Sequence, residues 1–68
     1  MPGYWVRIEK MDGGEAFLVT YSRGEMRNYT AFGALERALS FAEAFVGRVP
    51  DHKVDAWGGE TWYAQVTA

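Results

Sequence analysis

Cysteine is absent from this sequence, and histidine occurs once and proline twice among 68 residues. Without cysteine the chain forms no disulfide framework and no thiolate metal site, and His52 has no thiol partner for catalysis. No apolar run approaches the roughly 20 residues of a membrane-spanning helix, and the first residues lack the apolar stretch of a signal peptide. We therefore expect one cytoplasmic domain, residues 1–68, that is stabilised by packing or by a partner.

Positive charges are slightly fewer than negative charges. Seven Lys and Arg residues against nine Asp and Glu residues give a net charge of -2, without any basic run. Generic nucleic-acid binding needs clustered cations and is therefore disfavoured. Ser22 and Ser40 lie outside any nucleophile motif, and both glycine pairs lack the Lys-Ser/Thr that follows a phosphate loop. The sequence predicts no enzymatic activity, no metal and no other cofactor.

Apolar residues, in contrast, are abundant: 49% of the chain is hydrophobic and 16% is aromatic, which predicts a folded domain. YWVRIEKM, residues 4–11, alternates with the period of a half-buried strand, and EAFLVTYS, residues 15–22, is rich in strand formers. Asp12-Gly13-Gly14 between them predicts a hairpin turn. A turn at Ser22-Arg23-Gly24 predicts a short third strand over residues 26–29.

The segment from residue 30 to residue 47 has the clearest pattern, that of an amphipathic helix. Asn28 or Thr30 is the expected N-cap, Gly47 suits the C-terminal cap, and Pro50 prevents continuation. Its polar arc comprises Gly33, Glu36, Arg37, Ser40 and Glu43. Its apolar face comprises Phe32, Leu35, Leu39, Ala42 and Val46 with Ala34, Ala38, Phe41 and Phe45. We expect that face to cover a sheet.

A second hairpin is predicted after the helix, from HKVDAW and ETWYAQV around the turn Trp57-Gly58-Gly59-Glu60. The order ββ(β)αββ favours a small two-layer α+β fold, in which one helix packs on an antiparallel sheet of four to five strands. The pattern leaves the strand order undetermined, although we expect the first strand near the centre.

Strand alternation divides the sheet residues between two faces. The residues expected beneath the helix are Tyr4, Val6, Ile8, Phe17, Val19, Tyr21, Val54, Ala56, Trp62, Ala64 and Val66. The residues expected to point away from it are Trp5, Arg7, Glu9, Leu18, Thr20, Lys53, Asp55, Trp57, Tyr63 and Gln65. Two tryptophans, a tyrosine and a leucine thus fall on the side that an open sheet usually keeps polar.

We interpret the outward aromatic residues as a binding surface for a protein partner or for a second copy of the chain, because large exposed apolar patches often mark interaction sites. The candidate binding residues are Trp5, Arg7, Leu18, Lys53, Asp55, Trp57 and Tyr63. Size and acidity are in the style of the small inhibitors that phages and mobile elements encode, including anti-CRISPR proteins. A purely structural role is the alternative, because cross-strand aromatic pairs also stabilise sheets.

Binding of single-stranded nucleic acid by base stacking on the same residues is a second functional hypothesis. The carboxylates of Glu9 and Asp55 on that face oppose it. A three-strand sheet followed by a helix resembles the DNA-binding domains of plant ethylene-response factors and phage integrase arms, which present basic residues from the sheet. Here the corresponding strands carry Glu9, Glu15 and Glu25, so the resemblance extends only to topology.

Overall fold

A computed structural model describes residues 3–11 and 13–67 of the chain. It contains five strands and one helix, and it confirms the predicted small α+β fold. Asp12 of the predicted first turn lies outside the described residues. The elements are β1 Tyr4–Lys10, β2 Phe17–Arg23, β3 Met26–Phe32, α1 Leu35–Val46, β4 Asp51–Val54 and β5 Glu60–Val66.

The strands form one antiparallel sheet in the order β3-β2-β1-β5-β4. The expectation that the first strand lies at the centre is confirmed. The second hairpin joins the sheet through β5, which pairs with β1 from Tyr4↔Val66 to Glu9↔Thr61. The two edges of the sheet are therefore β3 and β4.

The core lies between α1 and the central strands. Val6, Ile8 and Val19 of the sheet are fully buried against Ala38 and Ala42 of the helix. Alanine at these two helix positions lets the helix approach the sheet closely, so the β-branched side chains below fill the space between the layers. The partly buried residues around this core are Phe17, Tyr21, Phe32, Leu35, Leu39, Phe41, Phe45 and Val66.

The helix begins later than the sequence predicts, because β3 continues to Phe32, which pairs with Phe17 of β2. Ala34 takes the N-cap position with extended backbone and no side-chain cap hydrogen bond, so the assignment of Asn28 or Thr30 as the N-cap is wrong. Phe32 still joins the core from the end of β3, since its ring lies 5.7 Å from that of Phe41. Gly47 ends the helix with a φ of 75°, as predicted.

The last hairpin also differs from the prediction. Strand β4 ends at Val54 rather than at residue 57, and α1 contacts β1, β2, β3 and β5. Val54 is 60% exposed and Ala56 is exposed in the turn, so placing these two residues beneath the helix is wrong. His52, the first residue of the predicted segment HKVDAW, lies in β4 with its ring stacked on Trp62 at 4.7 Å.

Candidate functional site

The sheet surface opposite α1 is called the outer face here. Residues that pair directly across neighbouring strands point to the same side of the sheet, so the strand pairing shows which residues belong to the outer face. From β3 to β4 it consists of Arg27, Tyr29 and Ala31; Leu18, Thr20 and Ser22; Trp5, Arg7 and Glu9; Thr61, Tyr63 and Gln65; and Asp51 and Lys53.

Trp5 of the central strand organises the outer face. Its ring stacks with that of Tyr63 on β5, with centroids 6.2 Å apart and an angle of 29° between the planes. Two guanidinium groups lie near the same indole, that of Arg7 at 5.9 Å and that of Arg27 at 5.7 Å from the ring centroid. Both distances are in the range of cation–π attraction. The cluster therefore draws side chains from three strands onto one indole.

Polar contacts hold the neighbours of Trp5 in place. The guanidinium of Arg7 lies 3.0 Å from the carboxylate of Glu9, and both side chains are about half exposed. The hydroxyl of Tyr63 donates a hydrogen bond of 3.0 Å to the amide oxygen of Gln65. Each contact is exposed to solvent and therefore weak in water.

Two small polar residues of the outer face, Thr20 and Ser22, are buried. Thr20 is 3% exposed, although it points away from the helix. Its cross-strand neighbours Arg7 and Tyr29 have long side chains, and these shield it from solvent. Ser22 is buried beside Trp5 and Arg27 in the same way, and its hydroxyl donates to the carbonyl oxygen of Gly24 at 3.4 Å. Two small hydroxyl side chains are therefore buried on the sheet face opposite α1.

The charge of the outer face differs from that of the chain. The outer face carries three cations, Arg7, Arg27 and Lys53, and two carboxylates, Glu9 and Asp51. The whole chain, in contrast, has a net charge of -2. Arg7 is paired with Glu9, while Arg27 lies over the Trp5 ring on the β3 side. The outer face is therefore a mixed aromatic and polar surface with a mild positive charge.

Of the seven predicted binding residues, the structure brings five to the outer face: Trp5, Arg7, Leu18 and Tyr63 on the inner strands, and Lys53 on the edge strand β4. Asp55 and Trp57 lie in the turn between β4 and β5, so strand alternation does not assign them to either face. Trp57 is 93% exposed and barely touches the rest of the described chain.

The side chain of Asp55 explains why β4 stops before Trp57. One carboxylate oxygen accepts hydrogen bonds of 2.8 Å from the backbone N–H groups of both Trp57 and Gly59. An aspartate that captures the backbone two residues ahead starts a turn instead of continuing a strand. Gly58 completes the turn with a φ of 82°, which favours glycine. The role of Asp55 that the structure shows is therefore to shape this turn.

Arg27 and Tyr29 are the outer-face residues that sequence reasoning misses. Because the sequence predicts only a short and weakly patterned third strand, it assigns none of the residues of β3 to either face. The signal is nevertheless present: a two-residue turn at Gly24-Glu25 fixes the pairing Arg23↔Met26, and this pairing sets the faces of all later residues.

Other groups that the sequence singles out lie apart from one another. Ser22 is on the outer face, His52 is on the helix side of β4, and Ser40 is exposed on α1. Among residues 3–11 and 13–67, no three His, Asp or Glu side chains are grouped closely enough to hold a metal ion. Within the same residues, the one helix is too short and too polar to span a membrane.

No protein-family model matches the chain, and comparison with curated proteins and with solved structures gives no significant match either. A function is therefore inferred from the geometry of the outer face.

Proposed function

We propose that this chain is a non-catalytic protein-binding module, an adaptor or an inhibitor, whose outer face docks onto an apolar and mildly acidic protein surface. The observation that carries the proposal is the cluster of Trp5, Tyr63, Arg7 and Arg27 on a sheet face that α1 does not cover. Tryptophan, tyrosine and arginine are the residues that most often dominate the energetics of protein interfaces.

The chemistry of the partner follows from the charge of the outer face. Arg27 is a cation beside an indole, which suits a carboxylate at the edge of an apolar patch on the partner. Adaptors and inhibitors, including the small inhibitors that phages and mobile elements encode, act by occupying such a patch and need no catalytic group.

Two other occupants compete with this proposal. Single-stranded nucleic acid would stack bases on exposed aromatic rings, but Trp5 already holds two guanidinium groups and Tyr63 against its ring. A second copy of the chain, packed face to face, would bring Arg7, Arg27 and Lys53 of both copies together. An acidic protein surface avoids this repulsion between cations, and it does not have to stack a base on the Trp5 ring.

The test compares an outer-face variant with a matched control in quantitative capture from the lysate of the source cells. Trp5→Thr with Tyr63→Thr keeps good strand formers but removes the stacked pair. We expect this variant to capture at least about tenfold less partner than the wild type. Val49→Thr with Val54→Thr removes exposed apolar surface elsewhere and should retain the partner, because both residues lie off the outer face. Circular dichroism checks that both variants fold.

A charge reversal then tests the stated chemistry of the partner. Arg27→Glu is expected to weaken capture of an acidic partner and to leave the fold intact, because this side chain is exposed. The proposal is wrong if the partner is retained by the Trp5 and Tyr63 variant. It is also wrong if the wild type instead binds labelled single-stranded DNA with an affinity that falls steeply with salt.

A further inference from the structure

The two edges of the sheet differ in how they are protected from pairing with another strand. Strand β4 has four residues, follows Pro50, and carries the charges of Asp51 and Lys53, all of which discourage pairing. Strand β3 has seven residues, no proline, and Arg27 as its one charged residue. Met26 and Tyr29 on this strand are 69% and 64% exposed. The structure therefore has one protected edge and one open edge.

The hydrogen-bond pattern identifies the backbone groups that are free on β3. The N–H of Gly24 donates to the carbonyl oxygen of Gly3 at 3.1 Å, which means that Gly24 points toward β1. Because antiparallel strands alternate their hydrogen-bonding direction, Arg23 points toward β3 and bonds with Met26. Continuing the alternation leaves the N–H and C=O groups of Arg27, Tyr29 and Ala31 directed away from the sheet.

From this pattern we propose that the chain forms a two-fold symmetric dimer in which β3 pairs antiparallel with β3 of a second copy. The register that pairs all the free groups places Tyr29 opposite Tyr29 of the other copy and Arg27 opposite Ala31. Each of these pairs exchanges two backbone hydrogen bonds. Because the edges left over in the dimer are the two protected β4 strands, the assembly closes at two copies.

In this register the side chains of β3 are compatible with those of β3 in the second copy. On the helix side, exposed Met26 meets Phe32 of the other copy, which is a favourable sulfur–aromatic contact, and Asn28 meets Thr30. On the outer face, Arg27 meets Ala31, so no like charges oppose one another. A second copy fits this edge better than an arbitrary strand does, because each bulky or charged residue meets a residue that accommodates it.

The dimer would also enlarge the outer face. Antiparallel pairing about a two-fold axis keeps corresponding faces on the same side, so the two aromatic clusters would lie on one continuous sheet surface. The inference goes beyond the proposed function and fails independently of it, because it depends on the backbone of β3 and not on Trp5 or Tyr63.

Sedimentation velocity across a range of concentrations tests the dimer. The variants used place opposite charges at position 29, which lies on the symmetry axis. The wild type is expected to sediment with twice the mass of the chain. Tyr29→Lys and Tyr29→Glu should each be monomeric, since position 29 then opposes its own charge, and an equal mixture of the two should recover the dimer. Ala31→Pro, which removes a free N–H from an edge strand without adding charge, should be monomeric as well.

The Trp5→Thr, Tyr63→Thr variant serves as the control and should remain dimeric. The inference is overturned by a monomeric wild type, by a dimer that persists in either charge variant or in Ala31→Pro, or by a mixture that stays monomeric. Loss of the dimer in the control variant alone would assign self-association to the outer face instead. Circular dichroism on each sample establishes that every monomer is folded.

Discussion

Replacing Trp62 by alanine is expected to lower the free energy of unfolding by about 3 to 5 kcal/mol. Trp62 is 6% exposed, lies edge-on to Phe17 with centroids 6.1 Å apart, and has the ring of His52 stacked on it. A chain of 68 residues has a total stability of only about 3 to 10 kcal/mol. Urea unfolding followed by circular dichroism should therefore show a variant that is largely unfolded or barely stable.

Trp57 provides a matched control for this prediction, because it is the same residue type in the same hairpin. It is 93% exposed, so Trp57→Ala is expected to change the free energy of unfolding by less than about 0.5 kcal/mol. Equal losses of stability in the two variants would contradict the assignment of Trp62 to the core and of Trp57 to the exposed turn.

Ile8→Ala is the second substitution with a large expected effect. Ile8 is fully buried on the central strand β1, and its truncation should cost about 2 to 5 kcal/mol because the fixed helix above cannot collapse into the cavity. For a domain of this size the melting temperature should fall by at least about 10 °C. Thermal unfolding at a fixed protein concentration is the measurement.

The control for Ile8 is Val54→Ala on the edge strand. Val54 is 60% exposed on β4, which α1 does not contact, so a shift of no more than about 2 to 4 °C is expected. A melting temperature for Ile8→Ala within that range of the wild type would show that the helix does not pack on β1 as described.

The sequence predicts the core well where the hydrophobic pattern is regular. Val6 and Ile8 alternate cleanly, and Ala38, Ala42 and Val46 recur at helical spacing, so the pattern alone assigns each of them to the buried face that it occupies. The sequence also predicts β5 with the bounds it has, Glu60–Val66. Burial on one face imposes these periodicities, and a one-residue slip would expose the whole set.

Side-chain chemistry overrides the pattern in the last hairpin. HKVDAW has the alternation of a strand, yet the carboxylate of Asp55 captures two backbone N–H groups and ends β4 at Val54. Whether an aspartate continues a strand or starts a turn depends on where its partner strand lies, and a single sequence does not contain that information. For this reason the prediction that Asp55 and Trp57 lie on the sheet face differs from the structure.

Strand β3 shows the opposite error, in which the sequence predicts too short a strand. The pattern assigns residues 30 to 32 to the helix because Phe32 fits its apolar stripe, but pairing with β2 keeps these residues extended. Tertiary pairing outweighs local propensity here. The consequence of the error is functional, because Arg27 and Tyr29 of the outer face and the open edge of the sheet both lie on β3.

The area of the outer face bears on how the proposed dimer and the proposed docking surface relate. Four strands about 23 Å long and the shorter β4, about 13 Å long, lie about 4.8 Å apart and give a face of roughly 500 Å². A stable interface usually takes about 800 Å² from each partner. Two outer faces joined through β3 would double the area that a partner can contact.

Site-specific photo-crosslinking in the source cells shows whether the outer face is the surface that docks onto a partner. A benzoylphenylalanine at Gln65 would lie on the outer face beside Trp5, and one at Arg37 would lie on the exposed side of α1. We expect a discrete crosslinked protein from Gln65 and none from Arg37. Crosslinks from Arg37 alone, or no crosslink from Gln65, would contradict the assignment of the docking surface to the outer face.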